Sequence, residues 1–178
     1  ADDLPHSMRD LHNGNVDFVI AYASKDEAID EDQSIVIGRD RLVPVCKPDQ
    51  DGHPIFSFEN EKPPVPILRF GDEAPIGRLL EPIYKEIGKK RSLDSAYENS
   101  MAGALLMRAR EGMGVAWLPE SLIEADLTRD SLVRTGSNAW TVTLDIRLHR
   151  NTEYSNHLTR SIWAFLKDRH SALPSVVA

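Results

Sequence analysis

The chain has 178 residues, 41% hydrophobic and 28% charged, the mixture of an ordinary globular protein built as one domain or two small lobes. Its net charge of −7 excludes a surface that grips nucleic acid through a basic stripe, and no apolar run approaches membrane-spanning length. The one cysteine, Cys46, cannot close an internal disulfide, which points to a reducing, cytoplasmic setting.

Residues 4–14 carry Leu4, Met8 and Leu11 at helical spacing and end on Gly14, which reads as a short amphipathic helix. Residues 16–22 (VDFVIAY) are an apolar run expected to form a strand buried on both faces. Such a strand needs neighbours and only a helix precedes it, so a first strand–helix–strand is expected upstream. Residues 24–32 are acidic and loop-like, and 34–37 and 42–45 read as two strands joined by the polar turn 38–41. Cys46 closes the second apolar run and is expected to be an inert buried thiol. Residues 47–66, rich in proline, glycine and charge, read as an irregular crossover.

A strand at 67–70 and a helix at 75–88 open a second lobe, followed by a strand at 93–97. Residues 99–123 (NSMAGALLMRAREGMGVAWLPESLI) say most. Asn99 or Ser100 suits an N-cap, and Ala102, Leu105, Leu106 and Ala109 form one apolar stripe. Gly112 and Gly114 stop the helix, 114–118 is a buried strand, and Pro119 suits the first turn of another helix. Residues 132–134 read as a short strand, and 140–148 as a longer one with Val142, Leu144, Ile146 and Leu148 on one side. The last helix, 155–170, has Leu158, Ile162, Phe165 and Leu166 as its stripe. Helices and strands alternate throughout, the mark of an open α/β sheet, and a buried strand flanked by helices is how such sheets build small-ligand clefts.

Catalytic patterns are missing. The histidines have no HExxH spacing, and no Gly-x-Ser-x-Gly elbow, P-loop or GxGxxG occurs. The acidic run 26–32 reads as a solvated loop, and Arg108 and Arg110 as the solvated side of a helix. No enzyme activity, cofactor or metal site is expected.

Three segments resemble the regulatory, effector-binding part of LysR-type transcriptional regulators. They are 8–20 (MRDLHNGNVDFVI), 112–122 (GMGVAWLPESL) followed by 132–134, and 146–165, which contains RNTEYSN at 150–156. Shorter phrases, VPVC at 43–46, GRL at 77–79, NSM at 99–101 and GVAWLPE at 114–120, resemble the hypochlorite-responsive members of that family. The resemblance implies two Rossmann-like lobes of the type 2 periplasmic-binding-protein kind. The first would be 1–48 with 136–178, truncated at its N-terminal side, and the second 49–135. It implies that DNA is bound only through a helix-turn-helix domain absent from this sequence. It also implies a homodimer or homotetramer, paired side by side through a helix and an edge strand of opposite lobes, and no contact with a membrane.

On this reading a small anionic effector or an oxidant is the input. The resemblance implies a pocket lined by the loop 21–24, with Tyr22, and by Phe70, Gly71 and Asp72. Helix N-termini at 72–78 and 99–101 would offer unpaired N–H groups and a positive dipole end, with Arg78, Asn99, Ser100 and Met101 beside them. The plainer alternative is that Asp72, Asn99 and Ser100 only cap helices. Switching by methionine oxidation, also implied by the resemblance, makes Met101 and Met113 the redox candidates, while Met8 and Met107 read as core fillers. The alternatives are an anion-binding domain of an ordinary LysR-type regulator, and a solute-binding protein of the periplasmic receptor type.

Overall fold

The computed structural model describes residues 4–25, 27–28, 30–59, 63–71 and 74–171. It is a mixed α/β fold in which the chain forms two compact units, residues 1–39 with 145–178, and residues 40–144. The chain passes between them inside two long strands. Among the described residues no helix is long and apolar enough to cross a membrane.

The first unit holds α1 (Leu4–His12), β1 (Phe18–Ser24), the first half of β2 (Ser34–Cys46), most of β7 (Val142–Arg150) and α5 (His157–Ser171). Its strands lie in the order β1-β7-β2. Gly14 takes a φ of 75°, as a glycine that ends a helix does, and Asn151 donates to carbonyls of the last turn of α1, those of Leu11 and His12. The core here is Ile35, Leu148 and Trp163, with Phe18, Ile37 and Leu166 packed against it. Three expectations need correction. β1 is not buried on both faces, because Ile20 is 64% exposed. The polar stretch 38–41 is no turn; β2 runs through it as one strand of 13 residues. On α5 the inward face is Thr159, Trp163 and Leu166, while Leu158, Ile162 and Phe165 point outward. Both faces have helical spacing, and the one with Trp163 meets the Ile35–Leu148 cluster.

The second unit orders its strands β2-β5-β3-β4, with β6 (Val133–Arg134) on β2. β3 (Val65–Arg69) lies parallel to both β4 (Leu93–Glu98) and β5 (Val115–Pro119), whereas β2 and β5 are antiparallel with Leu42 opposite Pro119. All five residues of β5 are buried, as its apolar sequence requires. Helices α2 (Pro75–Gly88), α3 (Ala102–Arg110) and α4 (Glu120–Thr128) join the strands. Pro119 ends β5 and caps α4 instead of sitting inside it. Trp117 is fully buried, donates to the Trp140 carbonyl at 3.0 Å and meets the Tyr84 ring edge-on at 5.3 Å. Trp140 itself lies in a short 3-10 turn ahead of β7.

Cys46 is fully buried. Burial pushes its thiol above the ordinary value, against the smaller opposing effect of the Phe56 and Ile55 backbone. Iodoacetamide is therefore expected to leave Cys46 untouched in the native protein and to alkylate it in urea. Rapid native labelling, read by intact mass, would contradict this burial.

Candidate functional site

Because β3, β4 and β5 are parallel, their carboxyl ends share one edge of the second unit, where α2, α3 and α4 begin. In open α/β sheets this edge is where ligands sit. Backbone hydrogen bonds stitch two of the junctions together: Asn99 N–H donates to the Arg69 carbonyl at 3.1 Å, and Gly71 N–H to the Asn99 carbonyl at 3.3 Å. Phe70, Gly71, Asn99, Ser100 and Met101 are thereby gathered at one place. Phe70 is buried, Gly71 and Asn99 are half-buried, and Ser100 and Met101 are exposed. Arg78 is exposed on α2. Tyr22 belongs to the other unit, half-buried on β1, and Asp72 lies outside the described residues.

The two helix starts differ from the expected caps. The N-cap of α3 is Met101, in an extended conformation with φ −101°, and it makes no side-chain capping bond. Asn99 instead accepts the Met101 N–H on its Oδ1 at 2.9 Å, a local turn one step ahead of the helix. The N-cap of α2 is Ala74, which has no side chain that could cap, with Pro75 following. Both helices therefore present N-terminal N–H groups without a side-chain acceptor from the N-cap residue. Met101 is thus not inside the first helical turn, and it is 56% exposed.

Several contributors were not read from the sequence. Arg69 pairs with Glu81 and stacks over the Tyr84 ring at 4.7 Å. The Tyr84 hydroxyl is buried without a partner, and burial raises its pKa far above the usual phenol value. Asn99 Nδ2 donates to the Tyr97 hydroxyl at 3.2 Å, and the Arg108 guanidinium lies over the Tyr97 ring at 5.3 Å. Arg108 Nη1 also donates to Glu111 at 3.0 Å and to the Met113 sulfur at 3.4 Å. Arg108 is therefore not a solvated helix charge but a link from Tyr97 to Met113. Arg110 is no free charge either. It grips the buried Asp126 bidentately at 2.7 and 2.8 Å, and those hydrogen bonds hold the Asp126 carboxyl below its usual range. Asp40, also unforeseen, accepts from Ser121 N–H and Oγ and so caps α4 from a neighbouring strand.

Met113 is 48% exposed and Met107 62% exposed, which removes the core-filling role expected of Met107. Met8 is half-buried and lines, with Leu11, His12, Arg150 and Asn151, a cavity of about 180 Å³ in the first unit. That cavity includes none of the expected effector residues. Among the described residues no group of three or more His, Cys, Asp or Glu could hold a metal.

Known proteins sharpen the picture. The model of the LysR substrate binding domain matches residues 2–171. The HTH-type transcriptional regulator YjiE of Escherichia coli K12 is 23% identical over 166 residues, 93% of this chain. The chain spans about half of that relative, 54% of its length. The regulatory domain of HypT from Salmonella typhimurium, in its apo form, superposes with a TM-score of 0.80 at 25% identity, covering 97% of this chain and 81% of that one. Full-length HypT, described as a hypochlorite-specific LysR-type transcriptional regulator, gives a TM-score of 0.79 at 24% identity, covering 97% and 58%. These neighbours have the type 2 periplasmic-binding fold. The chain belongs to the LysR substrate-binding domain family.

Proposed function

We propose that this chain is the sensory part of a LysR-type regulator and responds to an oxidant of the hypochlorite kind through Met101 and Met113. The observation that carries this is the chain of contacts from Asn99 through Tyr97 and Arg108 to the Met113 sulfur, with the exposed Met101 at the same junction. Hypochlorous acid transfers its oxygen to the thioether: the sulfur lone pair forms the S–O bond as the O–Cl bond breaks, and chloride and a proton leave. A sulfoxide oxygen is a far better acceptor than a thioether sulfur. At residue 113 it would draw Arg108 away from Tyr97 and loosen the hold on Asn99. The resemblance to a hypochlorite-specific regulator supports the same input.

A second reading keeps the site and replaces the oxidant with a small anion that binds reversibly. It draws support from the uncapped starts of α2 and α3, with Gly71, Ser100 and Arg78 near them. In both readings DNA is contacted by a helix-turn-helix domain outside this sequence, the working form is a homodimer or homotetramer in the cytoplasm, and no cofactor is needed.

The test is peptide mass spectrometry after one equivalent of hypochlorite, with hydrogen exchange of residues 95–104 before and after. Oxygen addition at Met101 and Met113 with faster exchange at that junction is the expected result. Met113→Gln should reproduce the exchange change, and Met107→Gln, more exposed but outside the network, should not. Oxidation of all exposed methionines with unchanged exchange would leave only the reversible-anion reading.

A further inference from the structure

Exposure alone does not rank the methionines of the second unit, since Met101, Met107 and Met113 are 56%, 62% and 48% exposed. Their partners do. Met113 Sδ accepts a hydrogen bond from Arg108 Nη1 at 3.4 Å, and among the described residues no donor reaches the sulfur of Met101 or Met107. The end of α3 builds this contact. Gly112 takes a φ of 77°, its N–H donates to the Ala109 carbonyl at 2.9 Å, and Met113 N–H donates to the Arg108 carbonyl at 3.1 Å. Such a paired closure sets residue 113 beside the turn that carries residue 108. The guanidinium spans the remaining gap to the sulfur and is steadied by the Tyr97 ring at 5.3 Å. Its donors are not exhausted there. The Arg108 side chain is 42% exposed, and Nη1 serves both Met113 and Glu111, the latter in an exposed ion pair at 3.0 Å that water weakens. Nε and Nη2 have no acceptor among the described residues. Lys47 brings a second cation near: its stem lies 3.3 Å from where a Cβ on Gly112 would stand, and among the described residues no ion pair holds it.

The geometry points to Arg108 as the residue that makes Met113 selective for anionic oxidants, hypochlorite and peroxo anions, over neutral peroxide. A thioether reacts through its lone pair and gains positive charge as the S–O bond forms. A guanidinium that donates to that lone pair opposes both, so hydrogen peroxide, which would leave as water, meets a guarded sulfur. An anion is a far better acceptor than a thioether. It takes the guanidinium for itself, frees the lone pair and rests within reach of it. With hypochlorite the sulfur lone pair then forms the S–O bond as the O–Cl bond breaks, and chloride leaves with no proton to release. With peroxymonosulfate the O–O bond breaks and hydrogen sulfate leaves. The inference rests on the oxidant reading for its purpose and names the class of oxidant, while its chemistry is read without any signal passing to DNA.

The test is the rate of sulfoxide formation at each methionine of the intact chain, followed by peptide mass spectrometry with Met107 as the internal standard. With hydrogen peroxide, Met113 should react about two- to tenfold more slowly than Met107, the contribution of one hydrogen bond. With peroxymonosulfate it should react about fivefold faster, the attraction of one unit charge at contact in water. Concentrated sodium perchlorate, whose anion is a poor acceptor, should erase the second ratio by screening and leave the first. Arg108→Gln should bring both ratios toward one, and Arg108→Lys should keep the preference for the anion. The salt arm needs no variant, so a misfolded Arg108→Gln chain does not blunt the test. A shield of bulk alone would slow both oxidants alike. Equal ratios with the two oxidants, or an anion preference that salt does not touch, would overturn the proposal. Selective oxidation of Met113 with unchanged hydrogen exchange over residues 95–104 would uphold the selectivity and remove the switch.

Discussion

Replacing Arg147 by methionine is expected to lower the stability of the chain by about 3–5 kcal/mol, because it removes one member of a buried charged network. The guanidinium is 2% exposed and donates to the carbonyls of Ser24 at 2.9 Å, Glu27 at 2.8 Å and Ala28 at 3.4 Å. The Ser24 carbonyl closes β1, and those of Glu27 and Ala28 lie in the irregular connection between β1 and β2, outside any helix or ladder. Asp145, buried beside it at 3.6 Å, would keep, among the described residues, the ion pair with Arg39. A lysine cannot stand in, since one ammonium lacks the planar fork that reaches several acceptors at once. Arg147→Lys should therefore recover only part of the loss. Urea melts measure the size of the effect, and hydrogen exchange over residues 24–33 should show it first. His149 supplies an independent check. Its pKa is depressed by burial first and by the charge of Arg147 second, so the methionine variant should move it back toward the ordinary imidazole value. An unchanged urea midpoint would mean that solvent already serves these carbonyls.

The same residue illustrates what the sequence could and could not reveal. β5 and α2 were legible because their signals are local: five consecutive buried residues, and a helix that opens on Pro75 and closes at Gly88. Residues 38–41 misled for the opposite reason. Their polarity suggests a turn, yet in the strand Arg39 reaches Asp145 and Asp40 serves Ser121, partners 106 and 81 residues away. Polar groups satisfied at such distance leave no local trace. β7 hid its buried Asp145 and Arg147 in the same way, between apolar residues that read as the whole inward face. On α5 two apolar rows share the helical period, and periodicity cannot say which row meets the core. At the candidate site, Asn99 was visible as a residue that serves backbone N–H groups, but its acceptor role falls on Met101 and not on the helix proper. The link from Tyr97 through Arg108 to Met113 depends on a guanidinium reaching across a turn, which no spacing rule encodes.

The two glycines of α2 give the other large expected effect and its control together. A Cβ on Gly77 would stand 2.7 Å from the Gly71 carbonyl oxygen and 3.1 Å from that of Phe70, both backbone atoms with no rotamer to retreat into. A Cβ on Gly88 meets nothing within 4 Å. In a helix alanine is favoured over glycine by about 1 kcal/mol, so Gly88→Ala should leave stability unchanged or raise it by up to that amount. Gly77→Ala has the same intrinsic preference working for it and should nevertheless destabilise by about 1–3 kcal/mol, because overpacking outweighs propensity. Relief requires the first turn of α2 to lift away from the end of β3, which is the junction that holds Phe70 and Gly71. If that junction is the effector site, Gly77→Ala should also weaken the response to an anion or oxidant, by up to about a hundredfold for a shift of about 1 Å at a positioned site. Thermal melts separate the two glycines, and hydrogen exchange of residues 74–80 locates the movement. Equal behaviour of the two variants would mean that α2 is free to shift at its start, and a helix so free could not present its N–H groups to a ligand at a fixed place.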